Sequence, residues 1–203
     1  MIAFENKPLD DQPPLVLASS SRYRADLLTR LRIAFVSASP DVDETARPGE
    51  RCVATATRLA EAKARALAVR FEGALIIGSD QVADLDGEPL GKPGDFENAL
   101  RQLQRMRGRS VVFHTAVALL DTRSGALQQA NVPTEVRFRD STDSTLRRYL
   151  EQEQPYDCAG SAKAEALGIA LTERITSDDP TALIGLPLIA VTTMLARAGV
   201  MVP

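Results

Sequence analysis

The sequence predicts an α/β protein with a mixed central sheet, arranged in two lobes with a cleft between them. Two observations carry this expectation. Short continuous apolar runs, the pattern of buried strands, alternate with amphipathic helical segments along the chain, and a hairpin group is inserted into that alternation. At 203 residues the chain is long enough for one α/β domain, or for two small lobes sharing a core. With no internal repeat and no low-complexity linker, residues 1–203 are expected to form a single domain whose first 13 residues are a loose tail.

The elements follow in order. "PLVLAS" is a buried-type strand, and residues 22–31 an amphipathic helix with Leu27, Leu28 and Leu31 inward. "IAFVSASP" is a second strand, after which "DVDETARPGE" is a polar loop. Residues 50–70 form a long Ala-rich helix, and "ALIIGSD" is an apolar strand that ends at Asp80. Asp86-Gly87, between extended arms, marks a hairpin. Asp95 caps a helix over 96–107 with Gly108 just past its end, and "SVVFHTAVALLDTRSGALQQANVPTEVRFR" reads as strands joined by turns. Residues 142–153 are helical, "YDCAGSAKAEALGIALTERI" is a glycine-punctuated strand region, and a last helix over 186–198 stops at Gly199.

Composition excludes several function classes. The formal net charge of −3 gives no global attraction to nucleic acid or to an anionic membrane, so any anion site has to be built locally. Cys52 and Cys158 have neither metal-ligand spacing nor a disulfide pattern, and with the single histidine, His114, they cannot assemble a zinc site. His114 is expected as a core strand residue and Cys158 as a small buried hydrophobe. The polar N-terminal stretch is unlike a signal peptide and no apolar run approaches membrane-span length, so a cytoplasmic protein without a membrane or stable nucleic-acid partner is expected.

Five local constellations could carry chemistry. Ser19, Ser20 and Ser21 sit between a strand and a helix, where backbone N–H groups and hydroxyls make an anion site. Arg22 and Arg24 fall in that helix's first turn, against the dipole. Either an anion offsets them, or Ser21 is a plain N-cap and both arginines lie in solvent at a cost of ~0.3–1 kcal/mol. Asp80 at a strand end could bind Mg²⁺ or act on water as a general base, or simply open a turn. Lys63 shares a helical stripe with Val53, Ala56, Ala60 and Leu67, so it needs a partner inside or snorkels to water. Lys92 in "GKP" is a point charge suited to phosphate, or a surface lysine. Asp43 and Glu44 are candidate metal ligands, or solvated loop acids. Arg101, Arg105, Arg107 and Arg109 read as a solvated helix face, with RNA contact as the alternative. Together these are the parts of a Mg²⁺-assisted phosphate site, with no Walker A sequence.

"LASSSRYRADLL", "DVDET", "LAEAKA", "IIGSDQV", "GKP", "CAGSAKAEALG" and "LIGLPL", in this order over residues 15–198, resemble the Maf family of nucleotide pyrophosphatases. The resemblance implies a two-lobed Maf/ITPase-like fold, frequently a homodimer. It also implies hydrolysis of a nucleoside triphosphate to the monophosphate and pyrophosphate with a divalent metal cation (Mg²⁺, Mn²⁺ or Co²⁺). Asp80 matches the family's catalytic carboxylate, and Ser21, Arg24, Glu44, Lys63 and Lys92 match its phosphate- and metal-handling positions, with Glu44 and Asp80 as the metal ligands. Tyr23 stands where the dTTP/UTP-specific branch carries arginine and the 7-methyl-GTP branch an aromatic. With Gln81 and Glu165, it resembles the 7-methyl-GTP branch, which implies a modified nucleoside triphosphate as substrate. The alternatives are the dTTP/UTP activity of the same family or a nucleotide-binding regulator without turnover. Physics agrees with the 7-methyl-GTP reading. N7-methylation makes guanine cationic, an aromatic face attracts such a base, and a carboxylate accepts from its N1–H and N2–H. Arg22 stands where proline is common, and Ala25 where a second arginine often follows.

Overall fold

The computed structural model describes residues 12–202, so nearly all of the expected N-terminal tail lies outside the described residues. The strands are β1 (Leu15–Ala18), β2 (Val36–Ala38), β3 (Leu75–Leu85), β4 (Glu88–Leu90), β5 (Ser110–Asp121), β6 (Leu127–Phe138) and β7 (Thr172–Ser177). The helices are α1 (Arg22–Thr29), α2 (Cys52–Ala66), α3 (Phe96–Met106), α4 (Asp143–Glu153) and α5 (Leu188–Arg197). The strands form one mixed sheet in the order β2-β1-β3-β5-β6-β7, with β4 paired to β3 off this path. β1 runs parallel to β2 and β3, while β5, β6 and β7 continue antiparallel. The α/β class and the mixed sheet are as expected. No helix among the described residues is long and apolar enough to cross a membrane.

Alternation along β3 divides its side chains between the two sheet faces. On one face, Leu75 and Ile77 join an apolar cluster with Leu27 and Leu28 of α1 and Val191 and Leu195 of α5. Farther along that face, Ala83 and Leu85 join a second cluster with Leu100 and Leu103 of α3 and Leu146 and Leu150 of α4. α2 covers the opposite face, where Ala56, Ala60 and Ala64 meet Ile76, Ala116 and Ala118. Gly78 permits the close approach: a Cβ there would lie 2.1 Å from the Ala60 carbonyl oxygen and 2.7 Å from the Ala64 nitrogen. The helix backbone therefore rests on the strand itself.

Three expectations need correction. β3 does not end at Asp80 but runs through it to Leu85, with Asp80 in register with Ala116 of β5. What ends nearby is its neighbour on the other side. β1 pairs with residues 75–78 and β4 with residues 83–85, so residues 79–82 have β5 on one edge and no strand on the other. That gap puts Asp80 just past the carboxyl end of β1, where ligands of α/β sheets bind. The region 156–175 is mostly not strand. It holds short 3₁₀ turns at Ala159–Ser161 and Leu167–Leu171, with strand only from Thr172. Gly160 (φ 71°) and Ser161 (φ 56°) are left-handed, which breaks any strand there. Finally, His114 and Cys158 are half-buried rather than core. His114 Nε2 lies 3.5 Å from Asp84 Oδ2, and Cys158 lines the main cavity.

Candidate active site

Nine residues that the sequence singled out line one cavity of about 650 Å³: Ser21, Tyr23, Arg24, Glu44, Lys63, Asp80, Gln81, Lys92 and Glu165. Asp43, the other candidate metal ligand, does not; it is exposed and accepts the Thr45 N–H at 2.9 Å. The nine arrive from α1, the loop before α2, α2 itself, β3, the turn after β4 and the 3₁₀ region before β7.

Lys63 is the centre of the charge arrangement. Because Gly78 seats α2 on β3, and residues 78 and 80 share a face, Lys63 lands beside Asp80. Its ammonium is 2.6 Å from Asp80 Oδ1 and 2.7 Å from Glu44 Oε1, with only 6% of its side chain exposed. It does not snorkel. Asp80 and Glu44 share this cation but respond differently, because Asp80's side chain is 9% exposed and Glu44's 55%. Burial pushes the Asp80 carboxyl above the ordinary aspartate value, and the charges of Lys63 and Arg24 only partly offset this. For Glu44, burial acts in the same sense, but the Lys63 contact with the charges of Lys92 and Arg24 outweighs it and holds the carboxyl below the ordinary glutamate value.

The loop bearing Glu44 is held in place by Glu50 and Arg58. The guanidinium of Arg58 donates to both carboxylate oxygens of Glu50 at 2.7 Å and to the Thr45 carbonyl at 3.2 Å. Glu50 also accepts from Thr55 Oγ1 and from the Arg47 N–H, each at 3.0 Å. Sequence reading missed this pair, whose partners are eight residues apart and cross from loop to helix.

The arginines of α1 divide. Ser21 is the N-cap, accepting the Arg24 N–H at 3.4 Å, and Arg22 is exposed, as the plain-cap reading expects. Arg24 is not in solvent. Its Nε donates to the Gly185 carbonyl at 2.9 Å and its Nη1 to Ser19 Oγ at 3.4 Å. Burial lowers its proton affinity, an effect that the charges of Asp80 and Glu44 oppose. Gly185 and Ser79 are therefore site-supporting residues that the sequence did not identify: Ser79 Oγ, fully buried, lies 2.9 Å from the same Gly185 carbonyl. Gln81 ties down the neighbouring turn, donating from Nε2 to Thr115 Oγ1 at 2.9 Å and to the Leu183 and Ala182 carbonyls at 3.0 and 3.1 Å.

Also on the cavity wall, the Tyr23 hydroxyl is 3.5 Å from Asp157 Oδ2, joining α1 to the loop after α4. Glu165 is exposed on the cavity wall, and Lys92 is exposed on the turn after β4.

No cluster of three or more His, Cys, Asp or Glu side chains suited to a metal occurs among the described residues. Asp80 and Glu44 nonetheless converge on one cation, and two carboxylates with the remaining positions left to water and phosphate is the donor set that Mg²⁺ takes in nucleotide sites. The residues fit such an ion.

Comparison with known proteins identifies the family. The family described as Maf-like protein matches residues 14–198. The 7-methyl-GTP pyrophosphatase of Thiobacillus denitrificans is 60% identical over 188 residues, covering 93% of this chain and 94% of the relative. That of Cupriavidus metallidurans is 59% identical over 190 residues (94% and 96%), and that of Burkholderia thailandensis 62% over 190 residues (92% and 88%). The match spans β1 to α5 and takes in all nine cavity residues, so the chain belongs to the Maf family.

Proposed function

We propose that this chain hydrolyses 7-methyl-GTP to 7-methyl-GMP and pyrophosphate, removing a modified nucleotide in the cytoplasm as a single-domain enzyme, and that it works as a homodimer. The observation that carries the chemistry is the buried Lys63 ammonium shared by Asp80 and Glu44, with Arg24 nearby. The substrate is taken from the similar proteins, which are 7-methyl-GTP pyrophosphatases about 60% identical to this chain.

Hydrolysis at the α-phosphorus forms a bond from a water oxygen to phosphorus and breaks the bond to the β-phosphate bridging oxygen. The water's proton has to leave, and the departing pyrophosphate has to be stabilised. Asp80 is the group placed to take the proton, because burial raises its basicity while Lys63 keeps it ionised and oriented. Arg24, Lys63 and Lys92 supply positive charge toward the phosphates, and Ser21 offers its hydroxyl at the start of α1. Asp80 and Glu44 would hold a divalent cation (Mg²⁺, Mn²⁺ or Co²⁺), which when bound supplies further charge to the triphosphate and polarises oxygen. On the same cavity wall, Tyr23 offers its ring to a cationic purine and Glu165 a carboxylate to the guanine N1–H and N2–H, while Gln81 fixes the turn at Ala182 and Leu183.

Pyrophosphate release from 7-methyl-GTP, followed with and without added Mg²⁺ or Mn²⁺, tests this reading. Release is expected only with metal, and Asp80→Asn is expected to reduce kcat by about 10²–10⁴-fold, the range for losing a placed acid–base group. Near-normal turnover by that variant would overturn the role of Asp80.

A further inference from the structure

Tyr23, the residue expected to face the base, already has positive charge against its ring. The Arg22 guanidinium carbon lies 5.0 Å from the ring centroid and Lys163 Nζ 5.8 Å from it. The two cations differ in character. Arg22 is the sequence neighbour of Tyr23 and exposed, so solvent and salt screen it strongly. Lys163 is held. Its side chain is only 11% exposed, and Nζ lies 3.5 Å from Glu153 Oε1. Its backbone N–H donates to the Tyr149 hydroxyl at 3.2 Å, and Gly168 packs against it so closely that a Cβ there would sit 2.5 Å from the Lys163 carbonyl oxygen. Tyr23 lines the cavity while Lys163 does not.

We infer that Lys163 is a specificity-tuning residue that weakens the preference of this cleft for a cationic base over a neutral one. The inference rests on the reading that Tyr23 faces the base. A ring that already attracts one cation is a poorer partner for a second, because the two charges repel each other and draw on the same π system. A neutral guanine meets no such repulsion. Any pull of Lys163 on the triphosphate is common to methylated and unmethylated substrates, so it cancels in their ratio. Glu153 sets the strength of the effect by neutralising part of the ammonium charge.

The experiment compares kcat/KM for 7-methyl-GTP and GTP in wild type, Lys163→Met, Lys163→Arg and Glu153→Gln, with binding of 7-methyl-GMP and GMP as a second readout. Lys163→Met keeps the stem and removes the charge. Its 7-methyl-GTP to GTP ratio is expected to rise about 2–5-fold, the range for one exposed to partly buried cation–π contact. Lys163→Arg should stay near wild type, and Glu153→Gln should lower the ratio. An unchanged or falling ratio in a folded Lys163→Met, or an equal loss on both nucleotides, overturns the inference. If Lys163→Met does not fold, an unchanged ratio in Glu153→Gln overturns it and a lowered one supports it. A wild type that prefers dTTP or UTP to either purine would contradict the proposed substrate instead, while the shift of the purine ratio on removing Lys163 would still report its charge.

Discussion

Lys63 and Arg24 are the residues whose placement the sequence flagged through a conflict, a cation on an apolar stripe and a cation against a helix dipole. Both conflicts have the same resolution, since each side chain is drawn into the cavity by fixed acceptors rather than released to water. The inward position of Lys63 was legible because a helix has a period. Its second partner, Glu44, was not, because a loop has none. Arg22, unexplained by sequence, borders the Tyr23 ring. Two predictions belong at this scale. Because burial raises the Asp80 carboxyl, its titration in the metal-free protein, followed by carboxyl NMR, should lie above the ordinary aspartate value of about 3.9. The sign runs in opposite senses for activity and stability. The base works only when ionised, so activity is lost as pH falls, whereas a raised folded-state value makes its contribution to stability decline as pH rises through it. A metal-free Asp80 titration at or below about 3.9, or an acid limb retained in the residual activity of Asp80→Asn, would contradict the assignment. Glu165→Ala should cost 7-methyl-GTP about 10-fold or more in kcat/KM, as expected for a charged hydrogen bond of ~1.5–3 kcal/mol, with a much smaller change on UTP. An equal loss on both would remove Glu165 from base recognition.

Among the elements, the contact of α2 with β3 decides whether the site exists. Gly78 is read in the sequence as one letter of an apolar strand, with nothing local to show that a helix backbone lies on it. Gly78→Ala places a methyl against the Ala60 carbonyl and the Ala64 nitrogen, which are backbone atoms and cannot rotate away. Overpacking of this kind costs about 1–3 kcal/mol. The expected result is a lowered denaturation midpoint together with a loss of kcat beyond what the unfolded fraction explains, because Lys63 moves with the helix. A variant with full stability and full activity would show the contact to be dispensable. The Glu50–Arg58 pair does the corresponding work for the loop, and its contacts hold the Glu50 carboxyl at about 2. The stabilisation it gives is therefore present above the ordinary glutamate value and lost as pH falls through about 2. The segment 156–175 was misread as strand because its alternating small residues imitate a period of two. Left-handed backbone at Gly160 and Ser161, and the packing of Gly168 on Lys163, exist only in three dimensions.

At the scale of the whole molecule, the alternation of apolar runs and helices made the α/β class and nearly every element legible. The sheet order was not, because strands that are far apart in the chain pair with each other. The unpaired stretch of β3 between its contacts with β1 and β4 is such a property. It creates the opening into which Asp80 faces, and no local pattern announces it. The seven short motifs pick out nine candidate residues without that knowledge, and the fold explains why motifs so scattered in sequence lie around one cavity. On the proposed function, this cavity holds a triphosphate beside Lys63 and Arg24 and a cationic purine beside Tyr23 and Glu165. The most direct test of this central claim is kcat/KM for 7-methyl-GTP, GTP, dTTP and UTP, measured side by side at saturating Mg²⁺. The account predicts that 7-methyl-GTP is the best substrate, with GTP behind it and the pyrimidine nucleotides far below. Pyrimidine nucleotides turned over as well as or better than 7-methyl-GTP would contradict it.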